Sequence, residues 1–578
     1  MIKKLVRQML AAQTVSALTV SLCLLIDNII IGRFLGDQAL TAYELANPIL
    51  LIIAALGSML GAGIQMACSK SLGRGSQEET NEGFSSAIAA AAVVSVVFTI
   101  LVLIFSRPLS TLMGASDPVL ISDTGAYMSG FIIGAPASMG ALILVPFLQI
   151  AGQSNLLIVA VLGMTFADVG FDLLNILVFH GGLFGMGLAS SLSYYVALFI
   201  GGWYFLSKKS VFKFSLSRVH REKILELLKG GVPTIVGMIA SVVLVFGMNK
   251  LLMLRMGKEA VAAFAVINSI GSACNCISTG TGGISLTLSG ILFHEEDRTG
   301  LKEVFGLIAR YAVILGVAVC ALLLLFAPAC VSLFMPRDNA ASAAAVWGLR
   351  AYAPGLIFCC INNLLKSSYQ GTGRIRTMEV ISVLENAILP FLSALILSQF
   401  FVVHGAWLFF VCGEALTLLC VLVYVWSRKR RITWNAEDIM LLSADLGVPE
   451  KDLLEADLHN VNEVMEFSYQ AEEFCLSHGY QKEMGHHISL CIEEMGTNII
   501  THGFAESGKN HLSIRLQYKN GRFVLRFRDD CRAFDPTEHV LQHTSDSLGI
   551  RLTMHMADEA RYTYSMNLNN LTLILAER

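Results

Sequence analysis

Long apolar segments alternate with short polar loops up to Trp426, and a mostly polar region follows the basic cluster at residues 428–431. Each apolar segment is about as long as the helix of roughly 20 residues that crosses a bilayer. The 578 residues are 54% hydrophobic and 15% charged, whereas soluble domains carry charge on about a quarter of their residues. The pattern predicts twelve membrane spans, near residues 10–32, 46–69, 85–106, 122–149, 156–179, 184–206, 231–254, 262–292, 305–335, 347–369, 377–401 and 404–427.

The membrane region contains an internal repeat. Identical residues recur 221 positions apart, at Asn28 and Asn249, Gly36 and Gly257, Asn47 and Asn268, Gly61 and Gly282, and Gln149 and Gln370. These identities predict two six-helix bundles of the same topology, at residues 1–215 and 216–430. Parallel repeats build transporters whose central cavity lies between the bundles and opens alternately to each side. A scaffold duplicated for stability alone is the other interpretation.

The charges of the loops predict an orientation. One set of alternate loops is rich in lysine and arginine, and the other set holds only Arg33, Arg107, Arg255, Lys258, Arg337 and Arg350. Positively charged loops face the cytoplasm, so both termini are expected on the cytoplasmic side of a bacterial-type plasma membrane. The net charge of −3 argues against a nucleic-acid partner. The 13 cysteines are scattered, without the spacing of a zinc site.

Acidic residues inside the predicted spans are functional candidates, because a charge within the bilayer costs several kcal/mol. Asp27 lies in the first span, and Asp168 and Asp172 lie in the fifth. Asp168 and Asp172 are four residues apart and share a helix face, where a shared proton or cation would relieve their repulsion. Glu385 and Glu414 lie in the last two spans, where a salt bridge or a water-filled face is an equally good interpretation.

Motifs in the first bundle, at residues 27–36, 46–48, 61–63 and 69–75, resemble the multidrug and toxic compound extrusion (MATE) transporters. The resemblance covers about residues 5–427. It implies an antiporter that exports small organic compounds, cationic or amphipathic, driven by inward flow of H+ or Na+. It also implies a cation site at Asp27, Asp172 and Ser190, with Asp168 where the family more often carries asparagine. A flippase that moves a membrane lipid linked to saccharide shares this architecture, but a cationic cavity would suit it better than these acidic spans.

The polar tail predicts a linker at residues 431–457 and an α+β domain at 458–578. Hydrophobic residues recur at helical spacing in 461–478 and 482–504, and a shorter helix is expected at 548–558. Two strands, 511–518 and 522–529, flank Asn520–Gly521, which is a strong hairpin signal. Two further strands are expected at 560–566 and 571–576, around Asn569–Asn570. The result is a layer of helices on a mixed or antiparallel sheet.

The tail motifs resemble the ATPase fold of gyrase, histidine kinases and MutL, and within that fold the anti-sigma-factor serine kinases. The resemblance covers about residues 455–578. It implies that Asn498 ligates a Mg2+ ion bridging the phosphates of ATP and that Glu494, one helical turn away, is the general base. It further implies that Asp529 contacts the adenine amino group, that a lid at Gly549 holds the phosphates, and that Thr572 lies near the adenine.

Two glycines expected near the nucleotide are replaced, by Cys531 and Ser547, and a Cβ atom there could crowd the ligand. The tail therefore either binds ATP or keeps its fold for partner binding, with its affinity for nucleotide lost. Two interpretations of the whole chain also stay open. In the first, an ATP-binding tail regulates an ion-driven exporter, because the sequence lacks the Gly-x-x-x-x-Gly-Lys-Ser/Thr motif of ATP-driven pumps. In the second, the chain is a membrane signalling protein whose tail phosphorylates or binds a regulatory protein.

Overall fold

A computed structural model describes residues 2–115, 117–207, 210–335, 340–400, 405–430, 435–504, 510–542 and 548–576. Helices account for nearly all of the described chain up to residue 430, and an α+β domain follows. The replaced glycine position at Ser547 lies outside the described residues.

The first bundle is built from helices whose lengths follow their apolar stretches. In the described residues these are α1 (Ile2–Ile30), α2 (Asp37–Gly73), α3 (Gln77–Leu112), α4 (Pro118–Ile132), α5 (Ala135–Ile150), α6 (Ser154–Leu174) and α7 (Gly182–Leu206). Two π turns, Ile31–Leu35 and Asn175–Phe179, extend α1 and α6. α4 and α5 form one bent pair with an angle of 49° between them, at a break that contains Gly134 and is followed by Pro136.

The second bundle repeats this order. Its described helices are α8 (Arg221–Met256), α9 (Lys258–Cys274), α10 (Cys276–His294), α11 (Arg298–Ser332), α12 (Ala340–Tyr352), α13 (Gly355–Gly371), α14 (Ile375–Val383), α15 (Leu389–Phe400) and α16 (Phe409–Lys429). A π turn, Leu384–Ile388, joins α14 to α15. α12 and α13 are bent by 47°. This bend follows Tyr352, 220 residues after the bend that follows Ile132 (352 − 132), so the repeat in the sequence is also a repeat in the structure.

The number of spans agrees with the sequence pattern. Ten helices among the described residues are long and apolar enough to cross a membrane, and the two bent pairs bring the number to twelve if each pair is one span. The prediction of two six-span bundles is therefore confirmed.

The two bundles meet at glycines of α2, α8 and α10, on the side of the membrane region that faces the tail. We call this side the tail side. An ideal Cβ atom on Gly63 of α2 would lie 2.0 Å from the carbonyl oxygen of Leu227, and one on Gly231 of α8 would lie 2.0 Å from that of Met59. A Cβ atom on Gly73 would likewise lie 2.5 Å from a carbonyl oxygen of α10. Only glycine allows backbones to approach this closely, so the bundles are tightly closed against each other on this side.

Replacement of Gly63 by alanine is expected to destabilise the protein by about 1–3 kcal/mol, the usual cost of overpacking a close contact. Thermal unfolding of the purified full-length protein in detergent measures the effect. Gly202→Ala is the matched control, because an ideal Cβ atom on Gly202 of α7 meets no described atom within 4 Å. Equal Tm values for the two variants would contradict the close contact between the bundles.

The tail is a two-layer α+β domain. Its described elements are α17 (Ala436–Ile439), β1 (Leu453–Leu458), α18 (Val461–Ser477), α19 (Lys482–Asn498), β2 (Leu512–Lys519), β3 (Arg522–Asp529), α20 (Pro536–Gln542), α21 (Leu548–Met556), β4 (Glu559–Ser565) and β5 (Leu568–Ala576). The strands form one antiparallel sheet in the order β1-β2-β3-β5-β4. This architecture confirms the α+β prediction.

Alternation along the strands gives the sheet two different faces. One face packs apolar side chains such as Ile514, Leu525 and Leu573 against α18 and α19 to form the core of the tail. The opposite face carries Arg515, Arg526, Arg528 and Thr572 and turns toward the bundles. The two faces therefore have separate roles, one in folding the tail and one in contact with the membrane region.

Two turns and one strand refine the sequence prediction. The Asn520–Gly521 turn forms as expected, with φ angles of 52° and 76°. The last hairpin instead turns at Met566 and Asn567, with φ angles of 55° and 60°, so Asn569 and Asn570 belong to β5 and not to the turn. β1 is a further strand within residues expected to be a weakly helical linker. Its charged residues, which are typical of an edge strand, hide the alternation in the sequence.

Candidate functional site

Three aspartates are buried together inside the first bundle. Asp27 of α1 is 4% exposed, and Asp168 and Asp172 of α6 are 3% and 0% exposed. The Ser190 hydroxyl of α7 donates a hydrogen bond to Oδ2 of Asp27 at 3.5 Å. The structure thus brings together all four residues that the sequence assigned to cation coupling.

Several oxygens of these carboxyl groups lack hydrogen-bond partners among the described atoms. They are Oδ1 of Asp27, Oδ1 of Asp168 and both oxygens of Asp172. The three groups are also close enough to repel one another when ionised. Buried charges require a counter-charge or a proton, so the cluster can be neutralised by bound protons or by a metal cation.

A cavity of about 100 Å³ opens beside the aspartates and is lined by Asp27, Asp168 and Ser190, with Tyr194 and Asn47 on its other walls. A water molecule occupies about 30 Å³ of liquid, so the cavity has room for a small hydrated cation. Asp27 and Asp168 are the two carboxyl groups that line it. The site therefore has both the charge and the space to exchange a proton or a cation with water.

π turns accompany the acidic residues of both bundles. Ile31–Leu35 begins four residues after Asp27, Asn175–Phe179 begins three residues after Asp172, and Leu384–Ile388 contains Glu385. Single π turns within α-helices are frequent at functional sites. No pattern in the composition marks them, and the sequence analysis did not anticipate them.

The second bundle holds a buried ion pair that the sequence analysis missed. The Lys366 ammonium of α13 lies 2.5 Å from Oε2 of Glu385, and the two residues are 8% and 4% exposed. Beside them, the Asn362 amide donates a hydrogen bond to Oε2 of Glu414 at 2.8 Å. Lys366 was visible in the sequence as a lysine inside the predicted span 347–369. The salt-bridge interpretation of Glu385 agrees with this geometry.

A group of ligand-type atoms surrounds this ion pair. The Cys359 sulfur and one carboxyl oxygen each of Glu385 and Glu414 lie within 4.8 Å of one another. The Lys366 ammonium already balances the charge of Glu385 at this place. The second bundle therefore contains its own positive charge beside its acidic residues, whereas the acidic cluster of the first bundle has no such partner among the described residues.

The tail contains a cavity of about 1020 Å³ between the end of α19, the residues after β3, the start of α21 and the last hairpin. Glu494 and Asn498 line it from α19, Asp529 and Cys531 from the end of β3, and Gly549 from α21. Four of the five residues assigned to the tail site, Glu494, Asn498, Asp529 and Gly549, are thus brought together. The volume is that of a pocket for a ligand of nucleotide size, so Cys531 lines the cavity without filling it.

Asp529 is held at the bottom of the cavity by a partner that the sequence analysis missed. The side-chain amide of Asn569 donates to Oδ1 of Asp529 at 2.8 Å, and the backbone N–H of Cys531 donates to the same oxygen at 3.0 Å. Burial raises the pKa of Asp529 above its ordinary value, although these hydrogen bonds act against the rise. Asn569 faces Asp529 directly across the β3–β5 pair, a register that only the correct position of the hairpin turn would have revealed.

The lid position at Gly549 is in close contact with the assigned general base. An ideal Cβ atom on Gly549 would lie 1.8 Å from Oε2 of Glu494, so a larger residue here would displace the end of the Glu494 side chain. Glycine thus allows the start of α21 to approach this carboxylate closely.

Thr572 lies apart from the cavity. It belongs to the strand face that turns toward the bundles, and its hydroxyl accepts a hydrogen bond from Nε of Arg526 at 3.3 Å. The alternation of β5 places Leu571 and Asn569 on the cavity side instead. The structure therefore does not bring Thr572 together with the other residues assigned to the tail site.

Comparison with protein families gives two matches. The MatE family model matches residues 13–178 and 233–396, two segments whose starts are 220 residues apart (233 − 13) and which together cover more than half of the chain. The chain belongs to the MatE family. A second family, described as histidine kinase-like ATPase domain, matches residues 454–575. The resemblances seen in both parts of the sequence are therefore confirmed, and the protein is a multi-pass membrane protein with an ATPase-like tail.

Curated relatives of this MATE protein match nearly three quarters of its length. The multidrug export protein MepA of Staphylococcus saprophyticus is 23% identical over 417 residues, which are 72% of this chain and 91% of the relative. MepA of Staphylococcus aureus is 22% identical over 420 residues, with the same coverage.

Solved structures show the same fold. A MATE protein in complex with MaL6 superposes with a TM-score of 0.69 at 20% identity, covering 74% of this chain and 96% of that one. The outward-facing conformation of a multidrug resistance MATE transporter superposes with a TM-score of 0.68 at 21% identity and the same coverage. At this identity the likeness establishes the fold of the membrane region alone.

Proposed function

We propose that this protein is a cation-coupled antiporter that exports small organic, cationic or amphipathic compounds, and that its tail binds ATP and regulates the exporter. The buried cluster of Asp27, Asp168 and Asp172 carries the first part of the proposal. Its unpartnered oxygens need a proton or a cation, and membrane proteins keep such groups where ions or protons pass.

The coupling chemistry follows from the charge of this cluster. Two ionised carboxyl groups of α6 and one of α1 cannot lie together in a low-dielectric interior without a proton or cation. Binding of H+ or Na+ removes the repulsion, and release restores it, so the packing of α1 against α6 and α7 changes with occupancy. Such a change in one bundle can be linked to the alternate opening of the transporter.

The acidic character of the first bundle supports a cationic or amphipathic substrate. The two relatives named above are multidrug export proteins, which supports the same class. The lysine-rich loops support a cytoplasmic position for the tail, where ATP is available.

The cavity of the tail fits a magnesium nucleotide by the chemistry of its walls. Asn498 offers a carbonyl oxygen, a ligand type that Mg2+ accepts. Gly549 at the start of α21 leaves backbone N–H groups free to approach phosphate. Asp529, fixed by Asn569, would accept a hydrogen bond from an adenine amino group, and Glu494 would orient a nucleophile. Bound ATP would add negative charge next to α21 and the last hairpin.

The proposal is tested by reconstituting the full-length protein in liposomes and imposing a pH or Na+ gradient. Uptake of a fluorescent organic cation such as ethidium is expected when the gradient is present and not when ionophores collapse it. Uptake that does not respond to either gradient would contradict the antiporter. In that case the signalling alternative, in which the tail acts on a regulatory protein, becomes the better explanation.

A further inference from the structure

The tail contacts both bundles. Its first helix, α17, is anchored to the second bundle, where Glu437 pairs with Arg298 at 2.6 Å and with Lys302 at 2.9 Å, and the sheet adds two further groups of contacts. One group lies on the arginine-bearing face of the sheet and binds the second bundle. The other lies on the β4–β5 hairpin and binds the first bundle. We call these groups the C leg and the N leg.

The C leg binds the turn between α10 and α11, where three acidic residues follow one another. Its ion pairs are Arg515 with Asp297 at 2.7 Å, Arg528 with Glu295 at 2.5 Å, and Lys519 with Glu296 at 2.5 Å. Burial alone would raise the pKa of Asp297, but the charges of Arg515 and Arg528 outweigh it and hold the pKa below its ordinary value. Asp297 is therefore held in its ionised form, and the acidic turn faces the basic side chains of the sheet.

The N leg uses the tip of the last hairpin. Its hydrogen bonds run from Met566 N to Ile150 O at 2.6 Å, from the Asn567 side chain to Gly152 O at 2.9 Å, and from the Arg561 guanidinium to Arg74 O at 3.0 Å. The first two acceptors lie at the turn between α5 and α6, and the third follows α2. All three acceptors belong to the first bundle.

The hairpin also fills the junction between the bundles. Met566 and Leu568 are each 7% exposed. They share a small pocket with Leu5 of α1, in the first bundle, and with Leu288 and Ile291 of α10, in the second. The tail therefore spans the place where α2, α8 and α10 meet at their glycines.

Opening of the transporter to the tail side requires the two bundles to part at this junction. A domain bound to both bundles resists this separation until its contacts with one of the bundles break. The C leg lines a polar cavity of about 520 Å³, and a charged contact of this kind resembles a transient interface more than a permanent one.

The N leg shares its hairpin with the candidate nucleotide site. Asn567, which binds Gly152, also lines the tail cavity, together with Tyr562, Tyr564 and Asn569. A ligand in that cavity would contact the same hairpin that binds the first bundle. The affinity of the cavity for the ligand and the affinity of the N leg for the first bundle are then linked, and a change in one must change the other.

We propose that the tail is a clasp that holds the two bundles together on the tail side. We further propose that an adenine nucleotide in the tail cavity controls how strongly the N leg binds the first bundle. This inference rests on the proposed antiport function and names the regulation of that function. Because α17 keeps the tail attached to the second bundle, the N leg decides whether the two bundles are joined, so breaking the N leg should have the same effect as breaking both legs.

The test uses the full-length protein in liposomes and four variants. The C leg is broken by Arg515→Ala with Arg528→Ala, the N leg by Arg561→Ala with Asn567→Gly, and a third variant combines all four changes. Arg522→Ala is the matched control, because this arginine of β3 is exposed and none of the described hydrogen bonds or salt bridges joins it to a bundle. Gradient-driven ethidium uptake is measured without nucleotide and with Mg-ATP.

The N-leg variant is expected to transport at least about fivefold faster than wild type without nucleotide, the lower end of typical allosteric couplings. The combined variant should be no faster than the N-leg variant, the C-leg variant should be no faster than either, and the N-leg and combined variants should lose the response to Mg-ATP. A wild-type rate in the N-leg variant, or a combined variant faster than the N-leg variant, would overturn the clasp.

Hydrogen exchange separates a failure of the clasp from a failure of the antiport proposal. In the N-leg variant, amides at residues 69–74 should exchange faster than in wild type or Arg522→Ala, while residues 488–492 in the tail core should keep their protection. If wild type shows no gradient-driven uptake, the antiport proposal fails and this measurement still decides the clasp. Unchanged exchange at residues 69–74 would overturn it.

Discussion

Asp27→Asn is expected to reduce gradient-driven export to the leak of protein-free liposomes. The asparagine side chain has the same shape, but it cannot release a proton and carries no charge to bind a cation. Asp27 has one unpartnered buried oxygen and shares its surroundings with two further carboxyl groups. The substitution therefore removes a group that can exchange a proton or a cation, and it leaves no cavity in its place.

The measurement is ethidium uptake under an imposed pH or Na+ gradient, compared with Glu44→Gln. Glu44 is an exposed carboxyl group on α2 of the same bundle, so this control removes one charge at a distance from the cluster. The Tm of Asp27→Asn should not fall, because removing one of three like charges relieves repulsion. Undiminished gradient-driven uptake in Asp27→Asn would refute the coupling role.

Asn498→Ala is expected to raise the Kd for Mg-ATP by at least about tenfold, which corresponds to 1.4 kcal/mol. The substitution removes a candidate magnesium ligand from the cavity wall and leaves the core of the tail unchanged, since Asn498 is the last residue of α19. Calorimetric titration of the full-length protein in detergent measures the effect. The loss should be smaller for ATP in excess EDTA, where no metal bridges the side chain to the phosphates.

His486→Ala is the matched control for this experiment, because His486 lies exposed on the same helix. Equal affinities of Asn498→Ala and wild type would contradict the assigned role of Asn498. If wild type itself does not bind Mg-ATP, the tail is a docking domain, and the interpretation that Cys531 and Ser547 have removed nucleotide affinity is correct.

The sequence predicts the helical architecture well, because a span of about twenty apolar residues has few alternatives in a long chain. It also predicts the β2–β3 hairpin, since Asn520 and Gly521 both adopt the positive φ that the turn requires. β1 was not predicted, because its Glu455 and Asp457 interrupt the apolar pattern. A local sequence pattern therefore predicts an element of the fold when a single physical requirement determines that element.

The candidate sites were only partly predictable, for a different reason. Asp27, Asp168 and Asp172 stand out because a membrane span tolerates few charges. Asn569 does not stand out, because its role depends on a register between β3 and β5 that the hairpin turn sets from a distance. The contact between the sheet and the acidic turn at residues 295–297 was equally hidden, because alternation indicates a polar face without naming its partner.

The π turns beside the acidic residues have a consequence for insertions and deletions. Each π turn accommodates one more residue than the α-helical turn it replaces, and one residue corresponds to a rotation of about 100° around the helix axis. Leu384–Ile388 lies between α14 and α15, so deleting a single residue from it would restore a regular helix. The side chains of α14 would then rotate by that angle relative to those of α15. The face that Glu385 presents to Lys366 thus depends on the length of the chain as well as on its composition.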